Sequence, residues 1–144
     1  MVEHNSLIVP RVASIEIPVR DVAAAVEWYG QVLGMKPSFQ EQGAAMLHFQ
    51  NENQRDVPSF YLVKTEVEGN LSFLNTHTGI EHSVIDFYVE DLQRFHQELQ
   101  QKGVQVEELN LRPDQVYGGF GFYDLNGLKF AVCNISHEHV RIDA

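Results

Sequence analysis

The sequence is short of several residue types, and each shortage closes off a class of structure or partner. One cysteine, Cys133, stands among 144 residues, so no disulfide can form within the chain, and a reducing cytoplasm is the expected setting. No apolar run approaches the ~20 residues that a bilayer-spanning helix needs. The start Met1-Val2-Glu3-His4-Asn5-Ser6 has neither the basic residues nor the apolar block of a secretory signal. Basic side chains are also scarce: ten Lys and Arg face twenty Asp and Glu, for a net charge of -10. A field of that sign repels phosphate backbones and anionic lipid, so neither nucleic acid nor membrane is an expected partner, while a neutral or cationic small molecule is tolerated.

What is present fits one ordinary globular domain. The 44% hydrophobic and 21% charged fractions are those of a chain that can bury a core, and the length suits one domain or two small halves. An internal repeat organises it. A 70-residue shift brings Ile15, Ile17, Val19, Asp21 and Val22 onto Ile85, Phe87, Val89, Asp91 and Leu92. Both copies alternate apolar and other residues at period two, the pattern of a strand with one buried face, and both end at an Asp suited to cap a helix. Helical spacing follows in each: Val22, Ala25, Val26, Tyr29 and Leu33 before Gly34, then Leu92, Phe95 and Leu99 before Gly103.

Further strands are expected at about 36–41, 44–50 and 58–65 in the first half, and at about 104–109, 117–123 and 128–134 in the second. Asn126-Gly127 is expected to supply positive backbone angles for a tight hairpin. Residues 66–81, with Gly69, Asn70, Asn75 and Gly79, read as a connection. Residues 1–11 and 135–144 read as extensions around a single domain at 12–134, with modules at about 12–65 and 82–134.

Three runs then carry a family likeness: Ile17-Pro18-Val19-Arg20-Asp21, Trp28-Tyr29 and Val32-Leu33-Gly34-Met35. The second half adds Phe87-Tyr88-Val89-Glu90-Asp91-Leu92, Lys102-Gly103-Val104 and Phe122-Tyr123-Asp124-Leu125-Asn126-Gly127. In this order the chain resembles the vicinal oxygen chelate superfamily of glyoxalases, bleomycin-resistance proteins and extradiol dioxygenases. The resemblance implies an α+β fold of tandem βαβββ modules forming a cupped mixed sheet with helices outside. It also implies that a divalent metal, where one is used, is held by His, Glu or Gln on the first and last strands. The matching places here are Ser14, Val84, Ala131 and, near the first-half counterpart, Leu62. Apolar side chains have no lone pair to offer, so no cofactor is expected and no metal residue is assigned.

Strand parity points Ser14 and Glu16 away from the helix, as it does Val84 and Asp86, with His82 on the side of Asp86. Glu16 and Asp86 are one repeat apart and form an expected acidic binding floor; Lys64, Lys129 or Arg20 are possible ion-pair partners that would instead make them structural. His48 has both a ligand or base reading and a hydrogen-bonded one. Phe60, Tyr61, Tyr117, Phe120 and Phe122 are possible stacking walls, of which about half should be core by strand alternation. Cys133 reads as an inert thiol, and His137-Glu138-His139 as a solvated tail. The expected binding residues are thus Ser14, Glu16, His48, Phe60, His82, Asp86, Tyr117 and Phe122. The expected function is small-molecule binding by a homodimer without metal. The alternative is a lyase, isomerase or dioxygenase with a displaced metal site formed by Glu16, Asp86 and His82.

Overall fold

The computed structural model describes residues 7–50 and 57–137 and divides the chain into two compact units, Met1–Glu68 and Gly69–Ala144. The first unit runs β1 (Ser14–Val19), α1 (Val22–Leu33), β2 (Met35–Gln40), β3 (Ala44–Phe49) and β4 (Ser59–Lys64). Its sheet has the order β1-β4-β3-β2. The first strand lies parallel to the last, with Glu16 opposite Tyr61 and Ile17 opposite Leu62, and the other pairs are antiparallel.

Alternation decides what faces the helix. Ile17, Val19, Leu47, Phe60 and Leu62 turn toward Val22, Ala25 and Tyr29 of α1, and all eight are buried. Tyr29 meets Phe60 edge-on at 6.0 Å between ring centroids. The helix starts where its sequence predicts: Asp21 is extended and its Oδ1 accepts from Ala24 N at 3.0 Å. It stops at Gly34, whose φ of 70° is the left-handed conformation that a side chain disfavours.

The second unit repeats this plan after a short addition. A hairpin of β5 (Ser72–Leu74) and β6 (Glu81–Ser83) precedes β7 (Asp86–Tyr88), α2 (Leu92–Gln101), β8 (Asn110–Leu111), β9 (Gly118–Tyr123) and β10 (Lys129–Cys133). The sheet order β7-β10-β9-β8 matches that of the first unit, and β7 lies parallel to β10 with Asp86 opposite Ala131. Its core is built on phenylalanine: Phe122 and Phe130 are fully buried, and Phe87 stands 5.4 Å from Phe130 and 6.1 Å from Phe122. Phe95 of α2 closes on Phe122 at 6.1 Å.

Three local expectations change. Residues 66–81 are not a plain connection, because 72–74 pair with 81–83; the Asn75 Oδ1 accepts from His77 N and Thr78 N and builds the turn. Residues 104–109 form no regular strand. A single bridge joins Val106 to Phe122, and His96 Nε2 of α2 donates to the Glu107 carbonyl at 3.0 Å, diverting it from a ladder. The 124–127 turn has a positive φ at Gly127 alone among its residues. Asp124 holds the turn through its side chain instead: its Oδ1 accepts from Asn126 N at 2.8 Å and Leu128 N at 2.9 Å, while Gly127 N donates to the Asp124 carbonyl.

Asp124 is a buried polar residue, so losing its acceptor strands two backbone donors. Asp124→Ala is expected to lower unfolding free energy by about 2 kcal/mol, and Asp124→Asn, which keeps an oxygen there, by about 1 kcal/mol or less. Urea denaturation of the three proteins measures both; equal losses would show that the acceptor is not what matters.

Candidate functional site

The faces turned away from the helices are where sequence parity placed the functional side chains, and the two units fill theirs differently. Across the first sheet, strand registers line up Glu16, Tyr61, Met46 and Phe39. Three large side chains cover this row, with Phe39 and Tyr61 rings 6.2 Å apart. The next row contains Ser14 opposite Ser59. There His48 is held at both nitrogens, Nε2 to Ser38 Oγ at 2.7 Å and Nδ1 to Ser59 Oγ at 2.9 Å. Through these two hydroxyl partners His48 ties three strands together.

The equivalent row of the second sheet is Asp86, Ala131, Gly121 and Glu107: Ala131 is opposite both Asp86 and Gly121, and Glu107 N donates to Gly121 O at 2.8 Å. Beside it, Gly119 is opposite Cys133 and Asn110. A strip of small residues therefore runs along the middle of this face. It floors a groove of about 560 Å³ whose walls include Asp86 on one side, Glu107 and Asn110 on the other, and Glu81, His82 and Ser83 of β6.

One end of the groove is organised by charge. Lys129 Nζ lies 3.2 Å from Glu107 Oε1 and donates to the Glu81 carbonyl at 3.3 Å, while Tyr123 donates its phenol proton to Glu107 Oε2 at 3.1 Å. Gly121 makes the pairing possible. A Cβ there would fall 2.3 Å from Glu107 Oε1 and 2.7 Å from Lys129 Cε. Burial, and then the neighbouring Glu107 charge, push the Tyr123 phenol above its ordinary value. Burial likewise raises the Cys133 thiol, with Asp86 adding to it, which leaves it a poor nucleophile.

Of the residues singled out from sequence, Asp86 and His82 share this groove. Ser14, Glu16 and His48 belong to the first unit's open face, Ser14 and Glu16 exposed and His48 half-buried. Phe60 and Phe122 are corrected: they are 1% and 0% exposed and pack under the helices, so they form core and not wall. Tyr117 is half-exposed at the end of a loop whose Asp114 Oδ1 accepts from Val116 N and Tyr117 N, bonds that also lower the Asp114 carboxyl below its usual range. It does not line the groove. His82 accepts from Asn75 Nδ2 at 3.3 Å and stacks on Phe73. Glu138 and His139 lie outside the described residues. Sequence parity missed Glu107 and the glycine floor; Gly119 and Gly121, two apart within a strand, were the available signal. Lys129, expected as a partner for Glu16 or Asp86, pairs with Glu107 instead. A larger hollow of about 690 Å³, lined by Arg20, Asp21, Gln40 and Lys64, opens at the N-terminus of α1, where Asp21 already caps the helix.

The matching family model is that of the Glyoxalase/Bleomycin resistance protein/Dioxygenase superfamily, over residues 11–132. The chain belongs to this superfamily. Solved structures agree in fold. A superfamily member from Sphaerobacter thermophilus is 18% identical with a TM-score of 0.66, covering 90% of this chain and 100% of its own. The fosfomycin resistance protein FosX from Listeria monocytogenes is 10% identical at 0.68, covering 91% and 98%. The bleomycin resistance determinant of transposon Tn5 is 15% identical at 0.56, covering 85% and 95%. No curated protein matches.

The superfamily's divalent metal can be tested against the donor set. Tyr61, not Leu62, is the first-unit counterpart of Ala131, since each stands opposite the repeat-related acid of its first strand. A serine, a tyrosine, a valine and an alanine do not fit a divalent ion, for which carboxylates and imidazoles are the usual donors. Among the described residues no three His, Cys, Asp or Glu side chains gather to hold one, nor is any helix long and apolar enough to cross a membrane.

The raised phenol has a measurable signature. A group whose folded pKa exceeds its unfolded value contributes stability that is complete below about pH 10 and is lost as pH rises through the folded pKa. In ultraviolet pH titration the phenolate signal that arises above the ordinary tyrosine range is expected to lose amplitude in Tyr123→Phe and to begin earlier in Glu107→Gln. An unchanged late amplitude in Tyr123→Phe would refute the assignment.

Proposed function

We propose that this protein binds a small organic molecule in the groove of its second sheet, without a divalent metal. The observation that supports this most strongly is the contrast between equivalent rows of the two sheets. Where the first carries Tyr61, Met46 and Phe39, the second carries Ala131 and Gly121, flanked by Asp86 and Glu107. A duplicated sheet that places small residues where its copy carries large ones has room for a ligand, and a groove of about 560 Å³ lies within the range of small-molecule sites.

Charge narrows the ligand. Glu107 is matched by Lys129, whereas Asp86 stands exposed at the groove wall, and the chain as a whole carries -10. A ligand with an apolar body to lie on the floor at Gly119 and Ala131 and a cationic group to meet Asp86 suits this lining. Fosfomycin and bleomycin resistance are properties of two structural neighbours; sequestration of a toxic compound is the corresponding proposal here. A homodimer in the cytoplasm belongs to the same reading, the second part supported by the lone cysteine.

The test is a thermal-shift screen of organic cations and neutral aromatic compounds against protein purified without chelator. A binder present at about 100 times its Kd is expected to raise Tm by several degrees. Ala131→Leu, which refills the floor, should abolish that shift, and Asp86→Asn should weaken a cationic binder by about tenfold. A ligand whose affinity is untouched by Ala131→Leu would place binding elsewhere. Stoichiometric bound metal that disappears in Asp86→Asn would overturn the metal-free reading.

A further inference from the structure

The β5–β6 hairpin supplies one wall of the groove yet is weakly secured. None of its residues from Ser72 to Ser83 is buried, and Phe73, Leu74 and Ile80 are each more than half exposed. Almost no apolar burial therefore fastens it. Its own bonds make it a coherent piece: Ser72 pairs with Ser83, Leu74 with Glu81, and Asn75 N donates to the Ile80 carbonyl at 2.8 Å. The attachment to the rest of the unit is at its base, where Val84 N donates to the Leu71 carbonyl at 2.8 Å between the buried side chains of Leu71 and Ile85. Above that base, the side-chain tie between hairpin and sheet is the bond from Lys129 Nζ to the Glu81 carbonyl.

We propose that Lys129 is a latch that holds this hairpin as a groove wall, and that the hairpin moves about its base as a unit when the latch opens. The ammonium group is shared. It spans Glu107 Oε1 at 3.2 Å on the far wall and the Glu81 carbonyl at 3.3 Å on the hairpin, and its side chain is only 11% exposed. Glu107 aims it and is itself steadied by Tyr123 OH and by the space over Gly121. A cationic ligand that takes Glu107 as its partner competes with Lys129 for the same carboxylate, so occupancy of the groove and closure of the latch are opposed through one charge. The latch stands on the hairpin contacts and does not require the binding reading; failure of one leaves the other intact.

Hydrogen exchange followed by mass spectrometry on the unliganded full chain tests it directly. In Lys129→Met the amides of 72–83 should exchange on the order of tenfold faster than in the parent, while those of β9 and β10 stay within about twofold. Glu107→Gln should give an intermediate increase, and Lys129→Arg, which can still donate to both oxygens, should restore slow exchange. Unchanged exchange in 72–83 of Lys129→Met, or an equal acceleration across the whole unit, would overturn the latch. Should Lys129→Met fail to fold, Glu107→Gln against Lys129→Arg decides the same question.

Discussion

In each unit the strand that leads into the helix pairs in parallel with the last, and that pairing determines what each face of the sheet can be. The connection between the two parallel strands carries a helix, and the helix must bury one face. The apolar set Ile17, Val19, Phe60 and Leu62 is committed to that face. Strict alternation then leaves Ser14, Glu16 and Tyr61 on the other side, as it leaves Asp86 and Ala131 in the second unit. The chemistry of the open faces is thus fixed by the packing demand of the closed ones. A slip of one residue would drive Glu16 under α1, and the cost of burying its charge makes the register secure.

Within that constraint the two copies have taken different courses. The first open face is satisfied internally, with aromatic and thioether side chains covering the sheet and His48 bonded to hydroxyls on both neighbouring strands. The second keeps only small residues, Gly119 and Ala131, along the floor and lays its charged pair over Gly121 at one end of the groove. Core composition follows a similar divergence. The second unit packs Phe87, Phe122 and Phe130 where the first relies on aliphatic residues around Phe60 and Tyr29.

The duplication, the two capping aspartates and the parity of the first strands were legible because they are local signals of period, cap and spacing. Ile17 and Glu16 differ in face by simple alternation, and no long-range information is needed to say so. The position of Phe60 against Tyr61 was harder, since it depends on the register of β4 against β1, a contact across more than forty residues. The β5–β6 hairpin was invisible for a different reason. Its strands are only three residues long and none of them is buried, and side-chain turns at Asn75 imitate a loop. Glu107 lay in a stretch whose strand character is broken by His96, so parity had no continuous strand to count along.

Gly121 also bears on how such a face could change over generations. A methyl group at this position collides with Glu107 Oε1 and Lys129 Cε at once, so the glycine can be lost only if both side-chain ends swing away. A lineage drifting toward the crowded surface of the first unit through position 121 therefore disturbs its charged pair in the same step. Drift through Ala131 carries no such penalty, because that pair does not lie over it. The two central positions of the groove are thus unequal routes to the same crowded face.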